Sequence, residues 1–390
     1  MSQPTSGSRA IVWPLLTGCL ALVSVTGACC MLAGYHPWSS PVGILVVSVL
    51  ALAVVPVYLL YLLMLDPLER EPWWLLALAF LWGAGAATLV GALVRTVVES
   101  VVHAVSGLSP ATYETIDSVL AAPLVEEACK GAFLLFLFLL ARHEFDDAVD
   151  GIVYGGIVGL GFRVIEDLGY YVDEFEGGDP WAVALLFVTR GILTGFSHSF
   201  FTALTGLGFG LAVQARSPLL RWSLPPSGFA GAVAFHALHN GAAELVERVS
   251  SEVLGWLLVL ALPALVYLPG AIGLALVAFV QGRRRQRDVR KYLAEAVDLG
   301  LADPADLTVL PDPWRRRRRV WATLFRYGLE AQVFRQALDR ALVDWAFRRW
   351  HRERGERLPA YLAAFEVEAL ETRIRFLRAE LARLERAATR

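Results

Sequence analysis

Charge is scarce in this 390-residue chain: 18% of residues are Asp, Glu, Lys or Arg and 56% are hydrophobic, against roughly 25% and 45–50% in ordinary soluble domains. That composition excludes a soluble globular enzyme. Cysteine is scarce too. Cys19, Cys29, Cys30 and Cys129 lie in apolar runs without Cys-x-x-Cys spacing, which argues against a zinc knuckle, a disulfide framework and thiol redox chemistry. No His-Glu-x-x-His run occurs, so the helical motif that would fix a zinc protease is missing.

The chain is instead rich in long apolar runs. A bilayer core about 30 Å thick needs roughly 20 apolar residues of helix. Eight runs approach that length, at residues 10–33, 41–65, 73–94, 118–141, 148–172, 181–213, 227–246 and 253–281. The sixth and eighth exceed one crossing, so tilt, overhang or a break near Gly191 or Gly195 is expected. The first is read as a retained span, because Thr-Gly-Ala-Cys29 is a poor match to a lipoprotein cleavage box.

The net charge of −2 conceals two different halves. Residues 1–281 hold 10 Lys+Arg against 21 Asp+Glu, and residues 282–390 hold 25 against 16. The expected architecture is an all-α, polytopic transmembrane helix bundle over residues 1–281, followed by a basic cytoplasmic helical region over residues 282–390. Arg9, Arg70, Arg142, Arg216, Arg221 and the run Arg283, Arg284, Arg285, Arg287 fall on one side of the spans, with Arg95 and Arg248 on the other. Both termini are therefore expected in the cytoplasm, in a multi-pass protein of the cell (plasma) membrane.

In the tail, Ala363, Val367, Leu370, Ile374, Leu377, Leu381, Leu384 and Ala388 step by 4 and 3, the rhythm of a coiled-coil seam. A helical hairpin or a homo-oligomer contact would satisfy it. Arg315 to Arg319 follow Pro313 and Trp314; they read either as a solvated helix start or as a contact with anionic headgroups. Nothing beyond charge points to nucleic acid, and none is expected as a partner.

Ionisable residues inside apolar spans each cost roughly 2.5–3.5 kcal/mol at a helix centre and persist when paired or functional. Four spans carry pairs at i and i+4, on one helix face each: Glu126 with Lys130 (and Glu127 beside them), Phe162 with Glu166, His198 with Thr202, and His236 with Asn240. Counted at 1.5 Å per residue, Glu126, Glu166 and His236 lie about 12, 9 and 15 Å below the outer ends of their spans, but His198 about 26 Å. Three depths agree; the fourth requires the sixth run to project beyond the hydrocarbon.

Such a set can hydrolyse. Adjacent carboxylates in a low dielectric suit one of them to shuttle a proton to and from water, while His198, His236 and Asn240 can donate to an oxyanion. Lys130 can hold the other carboxylate ionised. The same residues could ligate zinc through His198, His236 and Glu126. Metal-independent glutamate catalysis is favoured, because the lysine would be repelled by the ion. No cofactor is required by the sequence, and zinc stays open.

The four motifs, in this order on successive spans, resemble those of the PrsW family of intramembrane proteases, within a superfamily shared with the CAAX prenyl proteases. Further similarity lies in Asp66 to Pro72 leading into Phe80-Leu-Trp-Gly83, in Asp150-Gly-Ile-Val-Tyr-Gly155 entering Gly159-Leu-Gly-Phe162, and in Arg190 upstream of His198. The resemblance covers about residues 55–280 and implies site-specific cleavage of a membrane-anchored protein, in the best-known case an anti-sigma factor. It implies catalytic roles for Glu126, Glu127, Glu166, His198, His236 and Asn240, with Lys130, Phe162, Arg190 and Thr202 in support. The family usually has Asn after the fifth-span Glu; here Asp167 stands there, i+4 from Arg163 and able to form an ion pair with it.

His239 is a supporting partner or faces a neighbouring helix. Ser197 lacks the following glycine of a serine intramembrane protease. Two other classes stay open: a transporter with a buried carboxylate and histidine pathway, against which no inverted repeat is visible, and a non-catalytic membrane scaffold.

Overall fold

The computed structural model describes residues 6–35, 41–68, 71–140, 145–353 and 366–388, all helix and connecting turns with no strand among them. The chain divides into two compact units, Leu16–Asp66 with Glu71–Ala278, and Met1–Leu15 with Pro67–Arg70 and Phe279–Arg390.

The first unit is a membrane helix bundle. Its helices are α1 (Ser6–Tyr35), α2 (Pro41–Ala53), α3 (Val55–Leu65), α4 (Trp73–Leu81), α5 (Thr88–Val105), α6 (Pro110–Ile116), α7 (Ala122–Leu140), α8 (Ala148–Glu176), α9 (Pro180–Leu186), α10 (Ser197–Gln214), α11 (Pro218–Arg248), α12 (Glu252–Leu262) and the start of α13 (Leu268–Asp298). Four π-helical turns, Trp82–Ala87, Asp117–Ala121, Phe187–Leu193 and Pro263–Tyr267, interrupt the α-helical ladder. Among the described residues, six helices are long and apolar enough to cross a membrane: Thr17–Gly34, Pro41–Leu65, Trp73–Val105, Ala148–Glu176, Pro180–Gln214 and Val253–Asp298.

Six of the eight expected runs overlap these helices. The other two also fold as helices, α7 and α11, where Glu126, Glu127 and Lys130 interrupt the apolar sequence of the first, and His236, His239 and Asn240 that of the second.

Helix α8 runs through the middle, buried along nearly its whole length. Its N-terminus is held by a capping box: Asp147 accepts from the Val149 and Asp150 amides, and Asp150 accepts from the Asp147 amide. Such a cap is worth about 1 kcal/mol. Asp150, part of the sequence resemblance, therefore has a structural duty. Glu71, from the Asp66 to Pro72 loop, accepts from Tyr154 of α8 at 2.5 Å; residues 69 and 70 of that loop lie outside the described residues.

Small residues set the register of α8 against α10. A Cβ on Gly159 would lie 2.1 Å from the His198 carbonyl oxygen, and one on Gly155 would lie 2.5 Å from that of Thr202. Without a driving force from water, membrane helices associate through such close backbone approach. Here the contact brings the His198 and Thr202 turns of α10 against the α8 segment that precedes Glu166.

The second unit contains the end of α13, α14 (Asp306–Val309), α15 (Pro313–Glu353) and α16 (Val367–Ala388). Gly328 has φ 87° and ψ 177°, a conformation that favours glycine, and kinks α15. The seam residues Val367, Leu370, Ile374, Leu377 and Leu381 are buried in one cluster with Leu338, Leu342, Trp345 and Tyr292. The heptad rhythm is satisfied inside the chain as a helical hairpin, which removes the motive for an oligomer contact through these positions. Ala363 lies outside the described residues, and Ala388 is exposed. Part of the arginine run is also spent internally, since Arg319 pairs with Asp306 at 2.5 Å and Asp339 at 2.6 Å.

Candidate active site

Four elements converge. Helix α7 brings Glu126, Glu127 and Lys130; α8 brings Phe162, Arg163, Glu166 and Asp167; α10 brings His198 and Thr202; α11 brings His236, His239 and Asn240. The long sixth run breaks between its π-helical turn and Ser197, and His198 is the second residue of the new helix. A straight count from Trp181 therefore does not give its depth.

The two adjacent glutamates have different surroundings. Glu127 is fully buried. Its Oε1 accepts from Lys130 Nζ at 2.7 Å and faces His236 Nδ1 at 3.0 Å, and its Oε2 accepts from Thr202 Oγ1 at 3.0 Å. Glu126 Oε1 lies 3.5 Å from Arg95 Nη1, while its Oε2 is buried without a hydrogen-bond partner among the described residues, 3.7 Å from His236 Nε2.

Lys130 is enclosed. Besides Glu127, its Nζ meets His198 Nδ1 at 3.0 Å and sits 3.9 Å from the Phe162 ring centre. An ammonium has no acceptor, so His198 Nδ1 accepts and the proton of its neutral ring is on Nε2. That nitrogen faces Glu166 Oε2 at 2.8 Å. The logic reverses at His236. Ionised Glu127 accepts only, so Nδ1 carries the proton and the Nε2 lone pair looks toward Glu126. The rings of His198 and His236 meet edge to face, centroids 4.8 Å apart, and Phe201 stacks on His236 at 5.0 Å.

A second ionic layer lies beside the first. Asp167 pairs with Arg163 at 2.7 Å, as its spacing suggests, and also with Arg190 at 3.0 Å. Arg190 also reaches Glu166 at 3.3 Å and lies over the Tyr170 ring at 3.6 Å. Arg163 donates to Ser197 Oγ at 3.2 Å and to the Arg190 carbonyl at 2.7 Å. Ser197 is therefore part of the framework that holds the start of α10.

Asn240 and His239 each take a partner outside the four motifs. Asn240 donates to the Ser118 carbonyl at 2.7 Å, within the π-helical turn before α7, so its amide braces the backbone that carries Glu126. His239 Nδ1 is 2.6 Å from the Tyr267 hydroxyl. Arg95 was legible only as a topology marker, yet it bridges Glu126 and Asp117, the latter at 2.5 Å. With Glu126, Glu166, Tyr170, Asp173 and Met31 it lines a cavity of about 260 Å³. Its signal was being a lone cation in an apolar helix.

By donor type the site fits a divalent cation. Glu126, His198 and His236 each present one ligand atom, all within 4.8 Å of one another, and Glu126 Oε2 has no hydrogen-bond donor among the described residues. Lys130 imposes a condition, because a ligating nitrogen needs its lone pair and the ammonium places the His198 proton on Nε2.

The family model described as PrsW family intramembrane metalloprotease matches residues 71–268, just over half of the chain. The chain is similar to Protease PrsW of Geobacillus kaustophilus, 35% identical over 96 residues, which is 25% of this chain and 39% of that relative. It is also similar to Protease PrsW of Oceanobacillus iheyensis, 29% identical over 170 residues, 42% of this chain and 69% of the relative. No solved structure matches. The region matched by the family model carries all four motif helices, and the chain belongs to the PrsW family.

Proposed function

We propose that this chain is an intramembrane peptidase that hydrolyses a peptide bond of a membrane-anchored protein, with Glu126 as the residue that activates water. The observation that carries the reading is the division between the neighbouring carboxylates. Glu127 is occupied by Lys130, His236 and Thr202. Glu126, whose Oε2 has no hydrogen-bond donor among the described residues, is among the residues that line the cavity.

In this scheme Glu126 takes a proton from water, and the water oxygen attacks the scissile carbonyl carbon. The His198 Nε2–H, 2.8 Å from Glu166 Oε2, is suited to donate to the resulting oxyanion in exchange for that carboxylate. His236, its Nε2 unprotonated, is suited to accept from water and to share the proton with Glu126. This departs from the expected pairing of both histidines as donors. Glu126 then returns the proton to the leaving amine. Glu127 and Lys130 act as positioning residues, fixing the two imidazole tautomers from behind. A divalent cation held by Glu126, His198 and His236 would acidify the same water.

The substrate enters this reading from the family resemblance, which makes an anti-sigma factor or another single-span protein the class to try. The arginine distribution supports an orientation with residues 282–390 and both termini on the cytoplasmic side. The experiment is cleavage of a membrane-anchored substrate by purified protein in liposomes, with and without chelator. Cleavage that survives chelation supports the direct role of Glu126; loss restored only by added zinc would replace it with the metal reading.

A further inference from the structure

The first half of α15 presents a face that is exposed among the described residues. Trp314, Arg318, Trp321 and Phe325 follow i, i+4, i+7, i+11 spacing, one helix face, and the three aromatics are 68%, 51% and 83% exposed. Trp321 and Phe325 stack, centroids 6.2 Å apart, and the Arg317 guanidinium lies over Trp314 at 5.7 Å. The opposite face is anchored in the unit, with Thr323 buried and Arg319 paired to Asp306 and Asp339.

Charge identifies the occupant. Between Pro313 and Leu329 there are six arginines and no acidic residue, and Arg315, Arg317, Arg318 and Arg326 are exposed. An acidic protein surface would satisfy that charge but not three neighbouring aromatic side chains at the same face. The headgroup layer of an anionic leaflet satisfies both, taking aromatics at the acyl boundary and guanidinium groups among phosphates.

We infer that the segment from Pro313 to Gly328 is an interfacial helix that binds the headgroup layer of an anionic leaflet through Trp314, Trp321 and Phe325 and the flanking arginines. The test uses the full chain in nanodiscs with p-benzoylphenylalanine in place of Phe325, and in a control chain in place of Leu299, an exposed apolar residue of the same unit. On irradiation the 325 position should give lipid adducts, about threefold or more abundant with 30% phosphatidylglycerol than in pure phosphatidylcholine, and the 299 position should not. R315Q/R317Q/R318Q should remove the dependence on anionic lipid while leaving the chain folded, as read by retained Arg319-dependent protection of α15 from exchange. A cross-linked dimer, absence of adduct at 325, equal yields at 299 and 325, or anionic dependence that survives the triple variant would each overturn the inference.

Discussion

Glu127 Oε1 stands 3.0 Å from Nδ1 of His236 and 2.7 Å from Nζ of Lys130. One oxygen thus carries the charge balance of a buried lysine and the tautomer of a histidine. Removing one partner of a buried ion pair costs about 3–5 kcal/mol, because the other charge is stranded. E127Q should lower the unfolding temperature of the purified protein, and K130M should do the same. The double variant E127Q/K130M should recover part of the loss, since no unpaired charge remains. Additive losses in the cycle would show that the two side chains are not coupled.

Close packing between α8 and α10 predicts a second effect. In G159A the new Cβ would meet the His198 carbonyl oxygen at 2.1 Å and Ser199 Cα at 2.8 Å, both backbone. The helices must separate, at roughly 1–3 kcal/mol, and His198 moves with α10. G273A, where nothing lies within 4 Å of the added atom, serves as control. Lower thermal stability and lower cleavage in G159A alone are expected; equal behaviour of the two variants would contradict the register argument.

A pH effect belongs to the second unit. Burial pushes the Asp344 carboxyl up to about 6, against the opposing pull of Arg340, Arg373 and Arg316. A folded-state value above the unfolded one means that this stabilisation is full below about pH 4 and is lost as pH rises through about 6. The size is roughly 1–3 kcal/mol. Exchange protection of residues 338–346, corrected for intrinsic rates, should therefore fall between pH 4 and 7 in the wild type and change less in D344N. Equal pH dependence in the two proteins would refute the assignment.

Helix identity and the membership of the site were legible because each motif is an i, i+4 pair that stands out against an apolar span. Glu126, Glu127, Lys130, His198 and His236 do meet. Their division of labour was not legible, since sequence cannot tell which of two adjacent carboxylates turns toward a lysine one turn away. Asn240 read as a site donor because its spacing matched; only packing shows Ser118 as its partner. Arg95 was hidden by its position near a span end, where one arginine reads as a topology signal. The tail seam was visible as a heptad, but whether it closes within the chain depends on α15, whose kink at Gly328 leaves no periodic trace.

The central claim is that Glu126, and not its neighbour, activates water. The decisive measurement is kcat for cleavage of a membrane-anchored substrate in liposomes by wild type and E126Q, with unfolding temperatures recorded on the same samples. E126Q keeps the shape of the side chain and removes the proton acceptor, so kcat should fall by roughly 10²–10⁴ with the unfolding temperature little changed. Cleavage by E126Q at close to the wild-type rate would contradict the account.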